Sequence, residues 1–245
     1  YYLGAALRFQ GQYEAAYDAF YKATWSHAYH TAAYYQLAEL DCLRADFATA
    51  LDHVERAIAT NAWADSILGL KSAILRRLDR LPDAQQVSSS VLAADPLDFR
   101  AGYELHLINS ALGARKKAAD GLATLRKKMR GDIQLYLELA VDYGNCGLWD
   151  EAIAVLSLAA DSDEQRVCTF PMLYYYLGRY YDRKGERERA SGCLARAGEM
   201  PADYCFPFRL ESIDVLRTAS ERNPDDARAP YYLGNLLFDL QPDSA

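Results

Sequence analysis

The sequence has no apolar run approaching the roughly 18 residues that a membrane-spanning helix requires. Nor does its start show the basic segment, apolar stretch and small-residue cleavage site of a secretory signal. A glycine-rich phosphate loop, a paired Cys-x-x-Cys motif and a nucleophile elbow are likewise absent. The chain is therefore expected to be soluble and cytoplasmic, not an enzyme, and to work without a membrane, cofactor or metal. Cysteine is sparse: the five residues Cys42, Cys146, Cys168, Cys193 and Cys205 are odd in number and have no paired spacing. That pattern points to reduced thiols rather than a disulfide framework or zinc site. Cys42, Cys146 and Cys193 read as small apolar side chains inside helices.

An excess of positive charge is also missing. With 27 Lys and Arg against 34 Asp and Glu the net charge is −7, which argues against nucleic acid as a partner. One stretch runs the other way: Arg115, Lys116, Lys117, Arg126, Lys127, Lys128 and Arg130 are opposed only by Asp120. Helical residues eleven apart share nearly one face, so these cations form a stripe. Without interleaved aromatics, the stripe is expected to be a solvated convex face. His27 and His30 stand three apart, with Glu39 or Asp41 as a distant further ligand, but nothing fixes a metal geometry in that turn. They read as surface histidines, and His53 and His106 as ordinary helical residues.

What the chain does have is internal repetition. Tyr-Tyr-Leu-Gly occurs three times, at Tyr1 to Gly4, Tyr175 to Gly178 and Tyr231 to Gly234. Degenerate copies recur at about 34 residues. One runs through Tyr136, Leu139, Ala140 and Tyr143, then Ala152, Leu156 and Ala159; another through Tyr174, Leu177, Gly178 and Tyr181, then Ala190, Leu194 and Ala197. Leu3, Gly4, Leu7, Ala16, Phe20 and Ala23 follow the same phase, as do Tyr34, Leu37, Ala38, Ala50, Val54 and Ala57. Each copy keeps a small residue where two helices cross closely and a large one beside it. Copies from Asp65 and Phe99 are weaker, because Lys71 and His106 interrupt them; Ala84, Val91 and Pro96 hold one, and Leu105, Ala118, Leu122 and Leu125 the other.

Over nearly its whole length the chain resembles the tetratricopeptide repeat family. The resemblance implies an all-α fold, a right-handed α–α superhelix of about seven antiparallel helix pairs, each burying its apolar face only against its neighbours. The whole of 1–245 is then one solenoid domain, read as a piece of a longer protein whose cut ends could self-associate. Two segments break the period. Residues 160–170 lengthen an inter-repeat turn and are expected to bulge. Residues 198–208, with Pro201 and Pro207, replace a first helix by a loop, and Tyr204, Phe206 and Phe208 are expected to plug the gap.

In that family the first helices line a concave groove that takes up ligand. Carried onto this chain, the fifth position of each first helix reads Tyr1, Tyr35, Gly69, Tyr103, Leu137, Tyr175 and Tyr231. Other groove positions collect Arg8, Arg76, Arg77, Arg100, Arg179, Arg183 and Arg228, against Glu39, Asp182 and Asp239. Tyr and Arg are enriched at binding hot spots. The expected peptide-binding groove is thus Tyr35, Arg76, Arg77, Arg100, Tyr103, Tyr175, Arg179, Arg183, Arg228 and Tyr231. Its partner would be an extended acidic and apolar peptide, or another domain of the same polypeptide. The alternative at these positions is structural, with tyrosines packed between repeats and arginines paired to acids of adjacent helices. The carboxylate clamp of chaperone-binding relatives is absent, since no fifth position is Lys and the matching Asn occurs only as Asn235.

The stretches Ala202 to Glu211 and Asn223 to Asn235 resemble repeat arrays of large bacterial proteins that also carry a β-rich domain of unknown function. That likeness supplies an alternative role, as the accessory region of a carbohydrate-active enzyme whose catalytic domain lies upstream.

Overall fold

The computed structural model describes residues 1–61 and 65–240, apart from the side chains at 65, 165, 239 and 240. Asp239, an expected groove acid, therefore has its side chain outside the described residues. Every described regular element is an α-helix. The chain forms two compact units, one of residues 1–130 together with 145–147, the other of residues 131–144 together with 148–245.

The first unit contains four helical hairpins: α1 (Tyr2–Phe9) with α2 (Tyr13–Ala23), α3 (His30–Leu43) with α4 (Phe47–Thr60), α5 (Asp65–Arg77) with α6 (Leu81–Ala94), and α7 (Phe99–Ala111) with α8 (Arg115–Met129). Each second helix also packs on the next first helix, α2 on α3, α4 on α5 and α6 on α7. The three residues that close each hairpin turn the chain by a left-handed middle residue: Gly11, Ala45, Asp79 and Gly113, with φ of 74°, 58°, 59° and 73°. Such a residue ends a helix by turning its last carbonyls toward the following N–H groups. Gly4 marks the closest crossing in α1, because a Cβ there would lie 2.7 Å from the Phe20 ring.

The second unit contains α9 (Ile133–Asn145) except its last residue, α10 (Trp149–Ala160), the one-turn α11 (Gln165–Cys168), α12 (Pro171–Arg183), α13 (Arg187–Glu199), α14 (Glu211–Arg222) and α15 (Arg228–Leu240). The lengthened turn at 160–170 is pinned by Val167, which is fully buried. At Gly178 of α12 a Cβ would fall 2.6 Å from Leu194 of α13, so here too only hydrogen fits between the two helices.

Residues 200–210 form no helix, and α14 packs directly on α12. The expected aromatic plug is corrected by the structure: Tyr204, Phe206 and Phe208 are 90%, 72% and 64% exposed. Cys205 is the residue that turns inward and is buried. The physical reason is alternation. From Cys205 onward successive side chains point to opposite sides, so burying Cys205 sends Phe206 and Phe208 outward, while Tyr204 is turned out by a left-handed turn at φ 58°.

Two substitutions should move stability in opposite directions in urea unfolding. Gly178→Val overfills the α12–α13 crossing and is expected to cost about 2 kcal/mol. Ala45→Gly relieves a left-handed residue that carries a Cβ and is expected to stabilise by roughly 0.5–1 kcal/mol. No change at Gly178, or destabilisation by Ala45→Gly, would contradict this assignment of the crossing and the turns.

Candidate binding surface

In the first unit the expected groove residues lie on α3, α5 and α7. Tyr35 is half-buried on α3. Arg76, in the last turn of α5, makes a bidentate ion pair with Glu104 of α7, Nε to Oε2 at 2.8 Å and Nη2 to Oε1 at 3.2 Å. Glu104 is fully buried, so that pair spans two first helices and removes a charge that would be costly alone. Arg77 is exposed and its guanidinium stands 5.1 Å over the Phe47 ring. Arg100 and Tyr103 are both buried on α7. Gly69 makes room for the Arg100 side chain, whose Cδ would be 2.8 Å from a Cβ at that position.

Residues Asn145 to Gly147 belong to this unit through their contacts with its first helices. Arg8 donates from Nη2 to the Asn145 carbonyl at 3.1 Å while Nη1 donates to Gln36 and pairs with Glu39. Arg100 donates from Nη2 to Cys146 Sγ at 3.8 Å. The Cys42 and Cys146 thiols meet, and their hydrogen bond together with burial pushes the Cys42 thiol far above its ordinary pKa. Gly147, with φ 68°, lies against Leu43, whose Cα would be 3.2 Å from a Cβ there. The sequence carries no signal for this cluster, in which Cys42 meets Cys146 and Arg8 is more than a groove cation. No local spacing links residues so far apart in the chain.

In the second unit Tyr175 is fully buried and donates its hydroxyl to Asp226 Oδ2 at 2.6 Å. Arg179 is held by Asp214 at 2.6 Å and by Asp182 at 3.5 Å, and Asp182 also pairs with Arg222 at 3.0 Å. Arg183 is exposed and reaches Asp214 only at 3.8 Å. Arg228 donates to the Met200 carbonyl. Tyr231 is 61% exposed on α15.

The expected surface therefore divides. Tyr103 and Tyr175 are packing residues, and Arg76, Arg100, Arg179 and Arg228 hold neighbouring elements. Tyr35, Arg77, Arg183 and Tyr231 retain exposure. Elsewhere, Lys116, Lys117, Arg126 and Lys127 of the basic stripe are exposed on α8, and His30 Nδ1 is within 2.7 Å of the Thr24 carbonyl. No described helix is long and apolar enough to cross a membrane.

No protein-family profile matches the sequence, and no curated protein matches it. Among solved structures, a tetratricopeptide repeat protein from Parabacteroides merdae is similar with a TM-score of 0.53 at 19% identity, over 90% of this chain and 81% of that one. The pilF protein of Pseudomonas aeruginosa is similar with a TM-score of 0.50 at 17% identity, over 79% of this chain and 86% of its own. The chain thus has the all-α solenoid fold of tetratricopeptide repeat proteins.

The tyrosines give a pH signature. Burial, with Asp41 next, pushes Tyr17 up to about 12. Burial, with the Asp226 hydrogen bond next, raises Tyr175 further, and burial also raises Tyr176, Tyr180 and Tyr232. A pKa raised in the folded state contributes stability that is complete below the unfolded value of about 10 and is lost as pH rises through the folded value. Phenolate absorbance should therefore rise in two stages, the later one together with loss of helical circular dichroism above about pH 10. All tyrosines ionising in a single step near that pH, with helicity intact, would contradict the burial described.

Proposed function

We propose that the protein is a non-catalytic interaction scaffold that holds an extended peptide segment, or a segment of its own polypeptide, against its first helices. The observation that carries this reading is the hold on residues 145–147. Arg8 takes a main-chain carbonyl and Arg100 a thiol, while Leu43 meets a glycine that brings the backbone close. Those contacts fall on the end of α9 and its turn, and guanidinium groups that take main-chain and side-chain acceptors there are equally suited to those of an extended segment. The fold supports the same reading, since stacked hairpins offer a row of first-helix faces rather than an enclosed reaction site.

Of the ten groove residues, those with exposure are the ones that meet a ligand in this reading: Tyr35 and Arg77 in the first unit, Arg183 and Tyr231 in the second. Arg76, Arg100, Arg179 and Arg228 set the positions of the helices that carry them, and Tyr103 and Tyr175 support those helices from beneath. The favoured ligand is acidic and apolar, because the exposed members are guanidinium groups and phenol rings.

The test uses a peptide array to select the tightest-binding extended sequence, followed by titration against Tyr35→Ala with Arg77→Ala, and against Arg183→Ala with Tyr231→Ala. At least one pair should weaken binding about tenfold or more, with the thermal unfolding midpoint held. Affinity unchanged in both pairs would overturn the groove assignment.

A further inference from the structure

A cavity of about 340 Å³ opens in the first unit between α6, α7 and α8. Its apolar walls come from Leu92, Phe99, Leu105 and Leu125. The repeat register explains why it is there. The place held by Tyr34 in α3, Tyr136 in α9 and Tyr174 in α12 is held by Gly102 in α7. All three tyrosines are buried. The Tyr34 ring sits 5.5 Å from His53 of the paired helix α4. Two repeat periods further on, the residue in the place of His53 is Gly121 of α8.

Both partners of a ring-to-helix contact are thus glycine in this hairpin. A Cβ on Gly121 would meet nothing within 4 Å, and one on Gly102 would touch only the Leu125 side chain at 3.2 Å. Neither glycine has the positive φ that would require it. Glycine inside a helix costs about 1 kcal/mol relative to alanine, so packing gives no reason for either. The volume is that of small-ligand sites, of order 300–1,000 Å³.

The polar rim is rich in donors. Lys128 gives one N–H to the Pro96 carbonyl, and Asn109 uses its carbonyl oxygen to accept from Gln85. That leaves further ammonium protons on Lys128, those of Lys117, and the Asn109 amide protons to meet an acceptor. Lys117 and Lys128 are the cations that line the cavity, beside Asp120 and Asp98, whose carboxylate caps α7 by accepting from the Ala101 N–H.

We propose that this cavity binds an aromatic side chain presented by an acidic peptide segment. The ring takes the place that tyrosine fills in those three hairpins, and the flanking carboxylates face Lys117 and Lys128 of α8. The site is separate from the first-helix groove and stands or falls independently of it.

The test uses a short peptide with one tryptophan between pairs of glutamates, its alanine counterpart, and free indole-3-propionate, titrated at low salt. The tryptophan peptide should bind about tenfold or more tighter than the alanine peptide, and its affinity should fall with added salt. Gly121→Val and Gly102→Tyr should each reduce the tryptophan peptide to the alanine peptide's level while the unfolding temperature holds or rises. Gly121→Ala, the smallest change, should give an intermediate loss. Equal binding of the two peptides would leave only charge attraction and overturn the proposal, as would undiminished binding by Gly121→Val. Binding of indole-3-propionate without binding of the peptide would overturn the peptide segment as occupant.

Discussion

Everything in this structure depends on the inability of one helical hairpin to bury its own apolar face. Each first helix must approach its partner closely and then be covered by the hairpin beside it. The approach is set by residues with little or no side chain: Gly4 under Phe20, Gly178 under Leu194, and the fully buried Ala38 and Ala140 at the same register. Once that spacing is imposed, the large residues next to it have no freedom to serve a surface alone. Tyr175 goes inward where the following elements cover it, against Asp226 and the Tyr232 ring.

The same constraint sorts the charges. A solenoid of helices brings cations and acids from neighbouring helices to hydrogen-bonding distance. Arg76 with Glu104 and Arg179 with Asp214 are consequences of stacking as much as of selection for binding. The first unit shows the other use of such a cation. Arg8 and Arg100 reach a carbonyl and a thiol in residues 145–147, so a guanidinium on this surface can serve a chain segment as readily as a neighbouring carboxylate.

Much of the fold was legible because it is periodic. Small residues recurring with Tyr and Leu located the hairpins, including the weaker copies carrying Lys71 and His106, and Pro201 with Pro207 marked the helix that is missing. The left-handed turns were legible where they are glycine and hidden where they are Ala45 or Asp79. The surface was less readable, since periodicity tells which helix face a residue occupies and not how deep it sinks. Tyr175 and Tyr231 hold the same register, yet one is fully buried and the other 61% exposed, because Tyr175 finds Asp226 beneath it. The contact of Cys42 with Cys146 had no sequence signal at all. The aromatic loop misled for a physical reason: apolar cost argues for burial of Tyr204, Phe206 and Phe208, but a left-handed turn points Tyr204 away, and alternation from Cys205 onward lets Cys205 inward and sends Phe206 and Phe208 out.

The account rests on the first helices as the binding face. Hydrogen–deuterium exchange with and without a saturating array-selected peptide measures that face directly. The account predicts slower exchange concentrated in α3, α5 and α7 of the first unit, or in α12 and α15 of the second. Slowing confined to the second helices α4, α6, α10 and α13, with the first helices unchanged, would contradict it.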